Sequence, residues 1–327
     1  MNARCVVLVI LVVAGMVALL TSASGAASVD FGASCTWYGH VPVIVGIEKG
    51  WFKEAGADVK FQTIVSSADR MLALTSGAIG WTNTGQLAAV AEMAKGNRTF
   101  YWVGMIDEAA GQEGVAARPG INRIEELRGK KIGVPNNSSA EVTLSLLLQD
   151  AGLTRKDVEI VPLTVTDITT AFARGQIDAY SIWQPTLSSA LAGQSGAKIL
   201  ATNADTNLYK REGAIAAGDV VVMRRDLIDG TPPPAGAILR GLTKAIAFVK
   251  SNPADAAAAI AACYRAEPTK ALDSLRLFTY YEGTKQKAMA PNILRVLNQL
   301  VEWAHSTGRI ATRPDPAEWM NPKLWPD

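Results

Sequence analysis

Strand-like and helical segments alternate along this chain as far as residue 223, and after Pro234 the strands stop. That pattern limits the fold more than any other feature. Residues 29–36, 59–64, 79–82 and 100–105 read as strands, separated by helical stretches at 41–49, 67–74 and 87–93. The pattern then restarts. Residues 115–117, 131–134, 158–163 and 177–182 read as strands, 124–127, 140–151 and 168–174 as helices, and a strand at 219–223 follows. Segments 237–249, 253–263, 270–278 and 293–305 are all helical in period. Alternation of this kind, run twice, predicts an α/β protein of two lobes with mixed, mainly parallel sheets and a helical C-terminal tail. The tail is expected to return over the first lobe, giving a first lobe of 28–113 completed by 219–327 and a second of 114–218. Two chain crossings then fall near Glu113 and Asp219. Ligands of open α/β sheets sit beyond the carboxyl ends of the strands, which places a cleft between the lobes.

Residues 1–27 are set apart from this fold. Arg4 gives a positive start, Val6 to Leu20 is almost continuously apolar, and 21–27 are small and polar, the pattern of a secretory signal cut near Ala26 or Ala27. The apolar run is short for a membrane span. The mature chain is therefore expected to be exported. With 32 basic and 30 acidic residues the formal charge is +2, too balanced to suggest nucleic acid as a partner. Cys5 lies in the signal, and Cys35 and Cys263 are expected to be two buried thiols, their pairing in an oxidising compartment being the alternative. Residues 32–34 lack the leucine-bearing run that precedes a lipid-modified cysteine. The absence of a CxxC pair or a Cys/His cluster argues against a metal, and no cofactor is expected.

Several residues at the ends of strands could meet in the cleft. Residues 128–141 read as strand, polar turn and helix start. Ser138-Ser139-Ala140-Glu141 fits a capping box. The same turn, with Asn137, also aims backbone N–H groups and hydroxyls at one point where a sulfonate, phosphonate or carboxylate could sit. Trp183, between a strand and Pro185, is a core aromatic or a pocket wall. Trp37 and Tyr38 are a packed loop pair, or together with Trp183 a cage for a cation. Asp219 and Glu113, at the crossings, are exposed strand ends or partners of a ligand ammonium, whereas Asp107 and Glu108 read as solvated loop acids. Asn83, Thr84 and Gly85 donate to a ligand or cap the next helix, and His40 reads as a hydrogen-bonded loop residue. No nucleophile–base pair or acid–base carboxylate pair stands out, so no catalytic residue is expected.

Four motifs carry a family resemblance. Gly46-Ile47-Glu48-Lys49-Gly50-Trp51-Phe52 resembles the early A-x-x-x-G-x-F helix of the periplasmic solute-binding proteins of taurine, aliphatic-sulfonate and nitrate ABC importers. Residues 73–80, Ala-Leu-Thr-Ser-Gly-Ala-Ile-Gly, are similar to their A-L-x-S-G-x-I. Residues 124–134 resemble their D-L-x-G-K-x-I-x-V, with Glu126 for the Asp. Residues 172–185 resemble G-x-I-D-A-x-x-x-W-x-P. The order holds from about residue 30 to about 230. The resemblance implies a type II periplasmic binding fold, in a monomer that closes on a small solute and hands it to a membrane permease and ATPase. It also implies ligand contacts on the 137–139 turn, an aromatic at Trp183 and acids at Glu113 and Asp219. The chain has no phosphate-binding loop of its own. The ligand so implied is a zwitterion, with its anion at Ser138 and Ser139 and its amine near Glu113 and Asp219, taurine being the family's reference. The Trp37-Tyr38-Gly39-His40 loop and Asn83 depart from taurine binders. The alternative is a pyrimidine or thiamine-precursor binder. A more remote one is an enzyme like the thiamine pyrimidine synthases, whose cysteine-rich segment is not found here.

Overall fold

The computed structural model describes residues 27–135, 138–216, 218–231 and 233–326. The expected signal, up to residue 26, and Asn137 lie outside the described residues. In chain order the strands are β1 (Ala27–Ala33), β2 (Ala57–Thr63), β3 (Trp81–Gly85), β4 (Phe100–Gly104), β5 (Glu113–Ala117), β6 (Lys131–Val134), β7 (Glu159–Pro162), β8 (Ala179–Trp183), β9 (Lys198–Thr202) and β10 (Asp219–Arg224). They form two sheets, ordered β2-β1-β3-β10-β4 and β7-β6-β8-β5-β9. In the first sheet β1 pairs in parallel with β2 and β3, and β10 enters antiparallel between β3 and β4. In the second, β6 is parallel to β7 and β8, while β5 runs antiparallel between β8 and β9. The chain thus leaves the first sheet after β4 and returns to it as β10. The edge strand β9 has no counterpart in the sequence-based expectation. Its residues are only half buried, so a five-residue run carries little apolar signal.

Helices cover both sheets. Those used below are α1 (Val41–Glu48), α2 (Ser67–Ser76), α3 (Gln86–Ala94), α4 (Ser139–Asp150), α5 (Val165–Ala173), α6 (Ala235–Ser251), α7 (Pro253–Tyr264), α8 (Pro268–Leu275) and α9 (Gly283–Ser306). The cap of α2 is Ser66, where the sequence suggests Ser67 or Asp69, and its hydroxyl accepts from the Asp69 N–H at 3.3 Å; Gly77 at φ 86° ends the helix. The tail returns to the first sheet as expected. Phe31, Val41, Phe52, Leu242 and Ile246 share one core with α6 and α7, and Phe100, Trp102, Leu297 and Leu300 a second with α9. The last residues are pinned to β4, where the Trp325 Nε1–H donates to the Val103 carbonyl at 2.7 Å and Asn321 N–H to Trp102 at 2.7 Å.

The cysteine expectation is overturned. Cys35 and Cys263 form a disulfide, with Cα atoms 5.6 Å apart, within the usual range for such a bond. Both residues are half exposed rather than buried. Docking of α7 on the loop after β1 brings them together across a sequence separation of 228, a proximity no local pattern records.

Candidate functional site

The loop after β1 builds the first wall. Trp37 is extended, and Tyr38–His40 form a tight 3-10 turn that leads into α1. His40 is fully buried, its Nδ1 2.8 Å from the Ser34 carbonyl and its Nε2 3.2 Å from the Asn83 carbonyl. Burial, helped by the nearby Arg70 charge, lowers its pKa to about 3. The ring is therefore neutral, and its 3.8 Å approach to Asp219 is not an ion pair. This agrees with the hydrogen-bonded reading of His40.

β3 and β10 carry the next groups. Their register sets Asp219 opposite Gly85 and Val221 opposite Asn83. Asn83 Nδ2 lies 3.5 Å from Asp219 Oδ2, so these two expected site residues meet. Burial raises Asp219 to about 6, with Arg70 pulling the other way. Thr84 turns elsewhere. Its hydroxyl donates to the Ser67 carbonyl at 3.2 Å, and the Gly85 N–H to the Ser67 hydroxyl at 3.3 Å. Gly85 occupies the N-cap position of α3, which has no side-chain cap bond. Arg70, absent from the sequence-based site, is almost fully buried on α2. It donates to the Ile64 and Val65 carbonyls at 3.1 and 2.9 Å and to the Ser67 hydroxyl at 2.9 Å. In sequence it looks like an ordinary helix charge. Only the neighbouring Asp219 shows that it faces the site.

The second sheet presents Glu113, opposite Trp183 in the β5–β8 pair. Ser139 donates its hydroxyl to Glu113 Oε1, and Thr143 donates to Oε2 at 3.0 Å. Burial drives Glu113 up to about 8; the two hydroxyls pull it down and Asp219 adds to the rise. The expected capping box does not form. The Ser138 hydroxyl donates to the Pro135 carbonyl at 2.6 Å, and Glu141 turns inward to Arg155 at 2.7 Å and to Arg309. Two arginines remote in sequence outcompete the local cap for this buried carboxylate. At the start of α4, then, the Ser139 hydroxyl serves an acid of the protein itself.

The aromatics pack against one another. Trp37 meets Phe278 edge-on at 4.9 Å and Tyr38 tilts over Tyr264 at 4.5 Å. Tyr264 and Tyr280 donate their hydroxyls to the Trp37 and Tyr38 carbonyls at 2.7 and 2.8 Å. Trp183 is half buried and touches the cores of both sheets, so it sits between the lobes. A cavity of about 570 Å³ opens between the 35–38 loop, the residues after β8 and α8, with Tyr38, Gln184, Pro185, Tyr264 and Lys270 in its walls. Of the sequence-predicted site residues that are described, only Tyr38 lines it; Glu113 lies in the protein interior and the Asp219 side chain is 12% exposed.

Asp107 is the largest departure from expectation. It is fully buried, not solvated, because 279–281 run beside 106–108: Glu108 N–H donates to the Thr279 carbonyl at 2.8 Å and Tyr281 N–H to Ile106 at 2.9 Å. Its neighbour Glu108 accepts from the Tyr209 hydroxyl at 2.7 Å.

A family model described as NMT1/THI5 like matches residues 37–256. The chain belongs to this family. It is 29% identical over 222 residues to a putative aliphatic sulfonates-binding protein of Bacillus subtilis, covering 66% of this chain and 64% of that one. It is 29% identical over 203 residues to the taurine-binding periplasmic protein of Escherichia coli, covering 62% and 60%. It therefore spans a little under two thirds of the length of these relatives. The crystal structure of the periplasmic aliphatic sulphonate binding protein SsuA of E. coli superposes with a TM-score of 0.77 at 19% identity, covering 89% of this chain and 91% of that one. The desulfurization enzyme DSZB has the same fold, with a TM-score of 0.63 at 14% identity over 91% and 97%. The two-lobed, mixed-sheet fold expected from the sequence is thus the fold of these solved structures. Among the described residues no helix is long and apolar enough to cross a membrane.

Proposed function

We propose that this chain is the exported binding component of an ABC importer. It captures a small zwitterion of the aminosulfonate or aminophosphonate kind between residues 114–218 and the remainder of the fold, and a permease and its ATPase take up the closed complex. The observation that carries this reading is the pair Glu113 and Asp219. Each sheet supplies one carboxylate, Glu113 buried and Asp219 largely so, and loss of solvent raises both. A ligand ammonium would supply the positive charge such groups require in a dry site. Asn83 and Trp183 would complete the amine end. The anionic end would meet the start of α4 near Ser138 and Ser139, chiefly through backbone N–H groups, since both hydroxyls already donate within the protein. The protein acts by binding rather than catalysis, shifting an open–closed equilibrium.

Thermal shift and calorimetry on the purified protein, with taurine, 2-aminoethylphosphonate and a hydroxymethylpyrimidine, test this. Stabilisation by a zwitterion supports it. A response to the pyrimidine alone would replace it with the ring-binding alternative.

A further inference from the structure

Asp107 is left without a counterpart. Neither of its carboxylate oxygens, nor the indole Nε1 of Trp37, has a hydrogen-bond partner among the described residues. The two groups flank Gly39: a Cβ built there would stand 2.3 Å from Asp107 Oδ2 and 2.3 Å from Trp37 Nε1. The missing side chain of Gly39 is what lets both approach the same backbone. Leaving a buried carboxylate and an N–H unpaired is costly unless something else answers them. Among the described residues no cation pairs with Asp107. The charged groups that act on Asp107 are Asp219 and Glu113, both acids. The phenols around it are Tyr264, Tyr280 and Tyr281, with Tyr38 packed against Tyr264, and Tyr264 and Tyr280 donate their hydroxyls elsewhere. Arg70 acts on Asp219, the His40 ring is neutral, and Lys285 lies 3.4 Å from Glu108.

We propose that Asp107 is a specificity-determining residue of this site, its carboxylate accepting from the protonated amine of the ligand beside the Trp37 indole. The assignment rests on the binding function proposed above and adds a third acid to its amine end. It makes binding proton-linked. Burial and the two neighbouring acids push Asp107 well above the usual carboxylate range, which favours the neutral carboxyl in the free site. Seating an ammonium beside it favours the carboxylate, and the released proton passes to solvent.

The test is calorimetry at pH 7 in two buffers of different ionisation enthalpy. Taurine and its hydroxyl analogue 2-hydroxyethanesulfonate are titrated into wild type, Asp107→Asn and Asp219→Asn. The expected result is proton release by wild type on binding taurine. Asp107→Asn should weaken taurine at least tenfold and diminish that release, Glu113 supplying the remainder, with 2-hydroxyethanesulfonate unaffected. Trp37→Phe, which removes only the N–H donor, is a second variant and should weaken taurine several-fold. Wild-type affinity or undiminished proton release in Asp107→Asn, with Asp219→Asn impaired, would overturn Asp107 and leave the proposed function standing. Failure of both taurine and 2-aminoethylphosphonate to bind wild type would remove both.

Discussion

Replacing Glu113 by glutamine should make the protein more stable at neutral pH and flatten its response to pH. Glu113 is 2% exposed, and burial lifts its carboxyl from 4.5 to about 8. Between those values the folded chain holds a proton that the unfolded chain has released. Stability contributed through this group is therefore greatest in acid and falls as pH rises, by at most about 1.4 kcal/mol per pH unit. Over pH 6 to 8 the loss is about 2 kcal/mol, the slope easing as the folded carboxyl itself begins to ionise. Glutamine resembles the neutral acid in shape and keeps a carbonyl to accept from Ser139 or Thr143, so Glu113→Gln removes this loss at little packing cost. Asp107 is raised as well and retains its own slope in the variant. Asp219, at about 6, contributes mainly below that pH. Urea unfolding at pH 6, 7 and 8 measures the effect. The gap between variant and wild type should widen by roughly 2 kcal/mol from pH 6 to 8, on the order of 0.5–1 M in midpoint. Parallel midpoint profiles would show that Glu113 is ionised in the folded state, and the amine-end argument would lose one of its acids.

Two further outcomes follow from the packing. Gly39→Ala places a methyl 2.3 Å from both Asp107 Oδ2 and Trp37 Nε1, and should cost on the order of 1–3 kcal/mol in thermal unfolding while also weakening taurine; unchanged stability would mean the loop is looser than described. Cys263→Ser opens the link between the loop after β1 and α7, and should lower stability by about 2–5 kcal/mol, as should a thiol reductant on wild type. A melting temperature indifferent to both would show that the two thiols are not joined.

The fold was legible because its signals are local. Strands buried on both sides, such as Trp81–Gly85, announce themselves by composition, and helix ends by glycine at positive φ, as at Gly77 and Gly152. What was missed lacks a local signal. β9 is an edge strand that buries only part of each residue. The Ser138–Glu141 capping box matches its pattern fully, yet Arg155 and Arg309 draw the Glu141 carboxylate inward. A local motif holds only while nothing from elsewhere in the chain offers its side chains a better partner.

The candidate site follows the same division. Glu113 and Asp219 were legible because a chain crossing is a topological fact that the order of strands reveals, and both acids stand at crossings. Asp107 was read as solvated because an acid in a loop usually is. Its burial depends on 279–281, more than 170 residues later, pairing along 106–108. The aromatics show the converse. Trp37 and Tyr38 were placed correctly at the end of β1, but Phe278, Tyr264 and Tyr280, which fix how they stand, all come from the returning tail. The tail therefore does more than cover the first sheet. It takes solvent away from Asp107 and orients the two rings beside it.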